Sequence, residues 1–192
     1  DDFPSKNLAG VGVIFYVMLA LRTQLRASGW FTERNIPEPN LARLLDLVAL
    51  GTVADVVPLD ANNRILVAEG LRRIRGGHCR PGILALLEVP SRQPQSVVAA
   101  DLGFAVGPRI NAAGRLEDMS IGIECLLCEN LATARAQASR LDQLNQERRV
   151  IEQDMQSEAM QILAKLALNE PADTPIAMTL YQSGWHQGAI GI

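Results

Sequence analysis

The 192-residue sequence predicts a predominantly α-helical chain, and three observations carry that expectation. Leu and Ala abound while aromatic residues make up only 4%, a balance that favours helix packing over an all-β sandwich. Capping residues and glycine stops recur at helical intervals along the first two thirds of the chain. From Leu131 to about Leu168 there is no Gly or Pro, and apolar residues recur near helical spacing at Leu144, Ile151, Met155, Ala159, Ile162 and Leu166. With 48% hydrophobic residues and a mean hydropathy of +0.09, the chain can bury a core and is not disordered.

The elements follow in order. Asn7 is placed to cap a helix running to about Ala27, with Gly29 just beyond its end. Its apolar stretch Leu8 to Leu21 is about 14 residues, short of the ~20 that a membrane span needs. It reads as a buried helix in which Gly10 and Gly12 permit close packing. Asn40, after Pro39, caps Leu41 to Leu50, with Gly51 as the stop. Asp60 or Asn62 opens Arg64 to Arg75, halted by Gly76-Gly77, and Pro81 suits the first turn of a short helix to Val89. A polar link, Pro90 to Gln95, leads into the apolar run Val97 to Val106. Ser120 caps Ile121 to Cys128, and Asn130 opens the longest segment. As one helix of ~38 residues that segment would extend ~57 Å, so it is expected to be a connector or to break near Asp142 to Asn145. After Pro171 the character changes: Pro175 to Tyr181 reads as a strand, followed by the glycine-rich run Gly184 to Ile192. Both ends of the sequence are abrupt, which suggests an internal excerpt of a longer protein.

Charge and cysteine usage bound the function. A net charge of −3 and a pI near 5.4 exclude a generally basic nucleic-acid binder, so any such contact must come from a local patch. One patch, Arg64 to Arg80, sets five arginines (64, 72, 73, 75 and 80) and His78 against Glu69; it reads equally as a solvated helix face. The three cysteines, Cys79, Cys125 and Cys128, are an odd number without secretory features and point to a reducing, cytoplasmic setting. Cys125-Leu-Leu-Cys128 has metal-site spacing but lies in an apolar run with no second pair, so the thiols read as small hydrophobes. No Ser-His-Asp order, P-loop or complete GxGxxG appears.

Three constellations remain. Asp55, in Gly51-Thr-Val-Ala-Asp-Val-Val-Pro-Leu59, sits among apolar neighbours that imply burial, and a buried carboxylate needs a metal, a cation or several donors; a helix cap or an internal salt bridge is the structural alternative. Asp46 on the preceding helix reads as a second acid or as that helix's polar face. In Gly107-Pro-Arg-Ile-Asn-Ala-Ala-Gly-Arg115, Arg109 and Asn111 point the same way if the segment is extended, and Asn111 and Arg115 share a face if it is helical. Either arrangement gathers donors suited to phosphate oxygens, while a brace between an arginine and Glu117 or Asp118 is the structural alternative. Finally, His186 and Trp185 stand in a turn after the expected strand, placed to hold it together or to meet a phosphate or a base.

The runs 44–59, 107–115, 144–149 (Leu-Asn-Gln-Glu-Arg-Arg) and 184–192, in that order, resemble the RecJ family of the DHH phosphoesterase superfamily. The resemblance implies an α/β parent fold and a metal-dependent 5′→3′ exonuclease that hydrolyses single-stranded DNA to 5′-mononucleotides in DNA repair and recombination. It implies two Mn²⁺ or Mg²⁺ ions with Asp55 as one ligand and catalytic residue, and a substrate-phosphate surface holding Arg109, Asn111 and Arg115. It further implies a division into residues 1–130, the C-terminal part of a DHH domain; 131–170, a connecting helix; and 171–192, the start of a DHHA1 domain with its first strand. The family's acidic motif, its Asp-His-His triplet and its glycine-rich His motif are absent, so Asp55 is the one metal ligand carried over and the isolated chain is expected to be inactive. A superfamily relative acting on short oligonucleotides or cyclic dinucleotides, and a non-enzymatic helical interaction module, are the rival readings.

Overall fold

A computed structural model describes residues 3–165 and 177–189, and among them every regular element is helical. Helix α1 (Gly10–Ala27) ends where the sequence predicts, with Gly29 in the left-handed region at φ 77°. It starts three residues later than the expected cap: the Asn7 side chain instead donates to Asp60, 3.3 Å away. A short turn, α2 (Trp30–Glu33), leads to a 3-10 turn at Leu41–Leu44, which Asn40 caps by accepting the N–H of Ala42. Helix α3 (Leu45–Ala54) then continues past Gly51, against expectation. A Cβ at Gly51 would lie 2.7 Å from Val11 Cγ1, so this glycine is there to let α1 approach α3 and not to end the helix.

Helix α4 (Ala61–Arg75) has Asp60 as its cap, accepting from the N–H of Asn63, and stops at Gly76 and Gly77, the latter at φ 75°. Helix α5 (Pro81–Glu88) begins on its proline. The apolar run after the polar link forms one continuous helical stretch: α6 (Ala99–Asp101), a π-helical segment Leu102–Val106, and α7 (Gly107–Leu116). Helix α8 (Ser120–Leu127) follows, its first N–H accepted by the Asp118 carboxylate, and α9 (Leu131–Lys165) runs 35 residues, ~52 Å, without a break at Asp142 to Asn145.

The main core lies between α3, α4, α5, the π segment, α7, α8 and the first half of α9, where Ile74, Ile83, Leu86, Leu102, Leu141 and Leu144 are fully enclosed. Every buried residue of α9 lies between Ala134 and Asn145, so its first half is part of this body and its second half is an extension. A smaller cluster of Phe15, Leu41, Val48 and Leu66 seats α1. The expectation of a buried α1 holds for one face only: Gly12 and Phe15 are buried, while Val13, Ile14, Val17 and Leu21 are about half exposed. No described helix is long and apolar enough to cross a membrane.

The expected strand Pro175 to Tyr181 is not formed over its described part, residues 177–181, which has no regular structure; Pro175 and Ile176 lie outside the described residues. A strand needs a neighbour for its backbone groups, and the described part of the chain offers it no sheet.

Candidate functional site

Asp55 is the C-cap of α3, its N–H bonded to the Gly51 carbonyl, and it is exposed. This corrects the expectation of a buried acid. The valines around it are neighbours along the chain, but on a helix consecutive residues point about 100° apart, so their apolar character says little about Asp55, and Val56 is itself exposed. Among the described residues the Asp55 carboxylate has no ion pair. It stands instead at the end of α3 where the last carbonyls carry partial negative charge, an arrangement that attracts a cation. Its follower, Val56, has φ 55° and is 86% exposed. A β-branched residue in the left-handed region costs about 1–3 kcal/mol and is most often found where function demands it.

The buried acid is Asp46, which is fully enclosed. Its Oδ2 accepts the backbone N–H of Arg80 at 2.8 Å and its Oδ1 that of Leu47 at 2.8 Å, tying the start of α3 to the start of α5. Asp46, flanked by Leu44, Leu45, Leu47 and Val48, is thus a second acid turned inward and not part of the polar face of α3.

The 107–115 segment is a helix throughout, not an open loop. Pro108 occupies its first turn, and Gly107 lies against α3: a Cβ there would stand 3.3 Å from Ala54 Cβ. Gly103 in the π segment likewise faces Val53 Cγ1. The end of α3, with Asp55, and the start of α7 are therefore brought side by side, next to a π segment of the kind that accompanies functional sites.

Along α7 the donors part ways. Arg109 is braced: its Nε donates to Asp142 Oδ1 at 2.8 Å, and Nη1 donates to the carbonyl of Ala105. The expected brace partners, Glu117 and Asp118, serve elsewhere; Glu117 pairs with Arg140, and Asp118 caps α8. Asn111 is exposed and lines a cavity of about 310 Å³ with Gly51, Ala54 and Gly107. Arg115, exposed at the other end of α7, donates from Nη1 to the Gly188 carbonyl at 3.0 Å. The structure thus places Asn111 on a cavity shared with Gly51 and Ala54, the residue before Asp55, and joins Arg115 to the 182–189 turn. In that turn Trp185 Nε1 donates to Glu158 of α9 at 2.8 Å, and His186 Nδ1 accepts the N–H of Gly188 at 3.1 Å.

The cysteines behave as small hydrophobes. All three are free, and burial, then the nearby Cys128, pushes the Cys125 thiol up to about 11. No group of three or more His, Cys, Asp or Glu among the described residues is arranged to hold a metal. The Asp55 carboxylate is a hard oxygen donor of the kind Mn²⁺ and Mg²⁺ take, and its place at the negative end of a helix fits one contributor to such a site.

No protein-family model matches the chain. Its relatives and structural neighbours define a class, the single-strand-specific exonucleases with bound divalent metal. The chain is 64% identical over 191 residues to the single-stranded-DNA-specific exonuclease RecJ of Salmonella typhimurium and 64% identical over 192 residues to that of Escherichia coli, covering 100% of this chain each time. The Bacillus subtilis RecJ is 33% identical over 190 residues, 99% of this chain and 22% of the relative. Among solved structures, RecJ of Thermus thermophilus in complex with Mn²⁺ matches at a TM-score of 0.76 and 32% identity, over 99% of this chain and 26% of that one. The same protein with Mg²⁺ gives 0.77 at 32% identity, over 99% of this chain and 27% of that one. An exonuclease RecJ bound to manganese gives 0.74 at 33% identity, over 99% of this chain and 43% of that one. Over its whole length the chain is similar to RecJ proteins. It spans about a third, 33%, of the length of the Salmonella and Escherichia relatives.

Proposed function

We propose that the chain is the part of a RecJ-type nuclease that supplies one metal ligand and part of the DNA-phosphate surface for 5′→3′ hydrolysis of single-stranded DNA to mononucleotides. The observation that carries this reading is 64% identity, across the whole chain, to relatives named as single-stranded-DNA-specific exonucleases. Asp55 holds the cation, and its exposure, its place at the end of α3 and the left-handed Val56 beside it support that role. When bound, Mn²⁺ or Mg²⁺ neutralises charge at the scissile phosphodiester and lowers the pKa of the attacking water. Asn111, one turn into α7 on the side of the Asp55 end, donates to a phosphate oxygen of the bound strand. Arg115 spends one N–H on Gly188 and has further donors for a second phosphate. Arg109 acts through α7, holding it against α9 by its bond to Asp142. Trp185 and His186 keep the 182–189 turn in place.

In the domain division that follows, residues 1–130 form the C-terminal part of a DHH domain, 131–170 the connecting helix and 171–192 the opening of DHHA1. The end of burial in α9 at Asn145 supports a helix that leaves one body for another. The setting is cytoplasmic, in DNA repair and recombination.

The test uses long single-stranded DNA with Mn²⁺. The 192-residue chain alone is expected to release no nucleotide, because no three-residue metal cluster stands among its described residues. The longer protein is expected to give mononucleotides in a metal-dependent ladder from the 5′ end, lost on Asp55→Ala. Cleavage confined to dinucleotides would favour a short-oligonucleotide phosphodiesterase, and a longer protein indifferent to metal would favour an interaction module.

A further inference from the structure

At the other end of α3 from Asp55, nine residues or ~13 Å along the helix, lies a polar cleft of about 460 Å³. Three elements each send an arginine to it: Arg43 from the 3-10 turn before α3, Arg73 from the last turn of α4, and Arg80 from the cap of α5. His78 lies beside them, and Asp46 and Glu129 are the acids on its wall. The other arginines of the 64–80 patch are spent elsewhere. Arg64 donates to the Leu59 carbonyl, Arg72 pairs with Glu69, and Arg75 donates to the Val97 carbonyl.

Arg73 Nε and Arg80 Nε are both shielded from solvent and have no hydrogen-bond partner among the described residues. Asp46 does not satisfy Arg80 Nε: its Oδ1 is 3.8 Å away, beyond hydrogen-bond reach, and both its oxygens already accept backbone N–H groups. Buried polar atoms in proteins nearly always have a partner, so both guanidinium groups are under-satisfied beside the cleft, and their terminal nitrogens, not the shielded Nε atoms, are the donors that acceptor oxygens from outside the chain would meet. The first turn of α5 also opens here at Pro81, adding the positive end of a helix to the same space.

We propose that this cleft binds a phosphate monoester carried by a molecule of nucleotide size. Planar guanidinium groups match phosphate oxygens, and the cleft volume falls in the range of small-ligand sites. The Glu129 carboxylate gives a hydroxyl or amino group of the same ligand an acceptor. Two sources share this chemistry, a free nucleoside 5′-monophosphate and the 5′-phosphate of a short DNA strand. The inference does not rest on the role of Asp55.

The 192-residue chain is titrated with inorganic phosphate, then dAMP, then a 5′-phosphorylated trinucleotide, by calorimetry and by ³¹P line width. Saturable one-site binding of phosphate and dAMP is expected, weakened about tenfold in Arg73→Gln, the loss that fits one charge-assisted hydrogen bond. If Arg73→Gln does not melt like the parent, Arg43→Gln, at an exposed position, is read against the same threshold. Arg64→Gln, outside the cleft, is expected to bind as the parent does. Trinucleotide binding that dAMP displaces assigns the strand end as a ligand, and binding of dAMP alone assigns the free nucleotide. Absence of saturable binding in the parent, or equal affinity in the cleft variants and in Arg64→Gln, overturns the proposal.

Discussion

Arg109 and Asp142 join α7 to α9 through an Nε to Oδ1 bond of 2.8 Å, with the two side chains only 13% and 19% exposed. The same guanidinium reaches back to the Ala105 carbonyl in the π segment, and Asp142 also accepts from Gln146. One arginine therefore fixes the entry of α7, the π segment before it and the first half of the long helix. This is a structural use of a residue whose motif suggests phosphate binding.

Arg109→Ala is accordingly expected to lower stability by about 1.5–3 kcal/mol, the usual worth of a hydrogen bond to a charged group with its partner left behind. Asp142→Ala should cost a similar amount, and a double-mutant cycle should return a coupling of about 0.5–3 kcal/mol. Denaturant unfolding of the four proteins measures it. A coupling near zero would mean that the pair is incidental.

Asp55→Asn tests the opposite kind of residue. Asp55 is exposed, caps the C-terminal end of α3 and opposes the helix dipole, so neutralising it should leave the fold intact and raise stability by roughly 0.3–1 kcal/mol in the absence of metal. In the longer protein the same change should abolish metal-dependent hydrolysis. A gain in stability with a loss of turnover marks a residue kept for its chemistry. A clear loss of stability would instead show that Asp55 is a structural acid.

Acid should loosen the N-terminal segment. Asp60 is held below its ordinary value of 3.8 by the N–H of Asn63, then by the hydroxyl of Ser5, with the Asn7 amide adding to both. A carboxyl whose folded pKa is depressed stabilises the protein above its unfolded value and loses that contribution as pH falls through the folded one. Here that loss lies below pH 3.8. Glu38, Glu69, Glu88 and Asp118 are lowered too, so the parent's melting temperature is compared with that of Asp60→Asn. The gap between them should be widest near neutrality and close in acid. A gap independent of pH would rule out the charge as the cause.

What the sequence made legible was local. Asn40, Asp60, Gly29, Gly77 and Pro81 mark helix boundaries because a cap or a left-handed turn is decided within four residues. Gly51 misled because its reason, contact with Val11, lies on another helix. The partner of Arg109 was invisible for the same cause: Asp142 lies 33 positions away, and nothing local distinguishes it from the closer Glu117 or Asp118. Apolar neighbours gave the burial of α3 but not which of its acids faces inward. That choice between Asp46 and Asp55 is a matter of helical phase against α5. The family resemblance came from whole runs of residues, and no single chemical group within them would have carried it.

The docking of the 182–189 turn offers the last test. A Cβ on Gly188 would stand 2.2 Å from the Arg115 carbonyl oxygen, a backbone atom that cannot swing aside. Arg115 Nη1 bonds the Gly188 carbonyl, Trp185 bonds Glu158, and Ala189 is buried, so three points hold the turn against α7 and α9. Gly188→Ala forces the turn and α7 apart, at an expected cost of roughly 1–3 kcal/mol of the kind that overpacking brings. The cost should fall on the turn alone, because the main core of α3 to α9 does not include it. Amide exchange at Trp185, Gly188 and Ala189 should quicken while exchange at Leu141 and Leu144 stays as slow as in the parent. In the longer protein, DNA affinity should fall with it, since Arg115 would lose the partner that orients it. Unchanged exchange in the turn would show that the glycine is not needed for the contact.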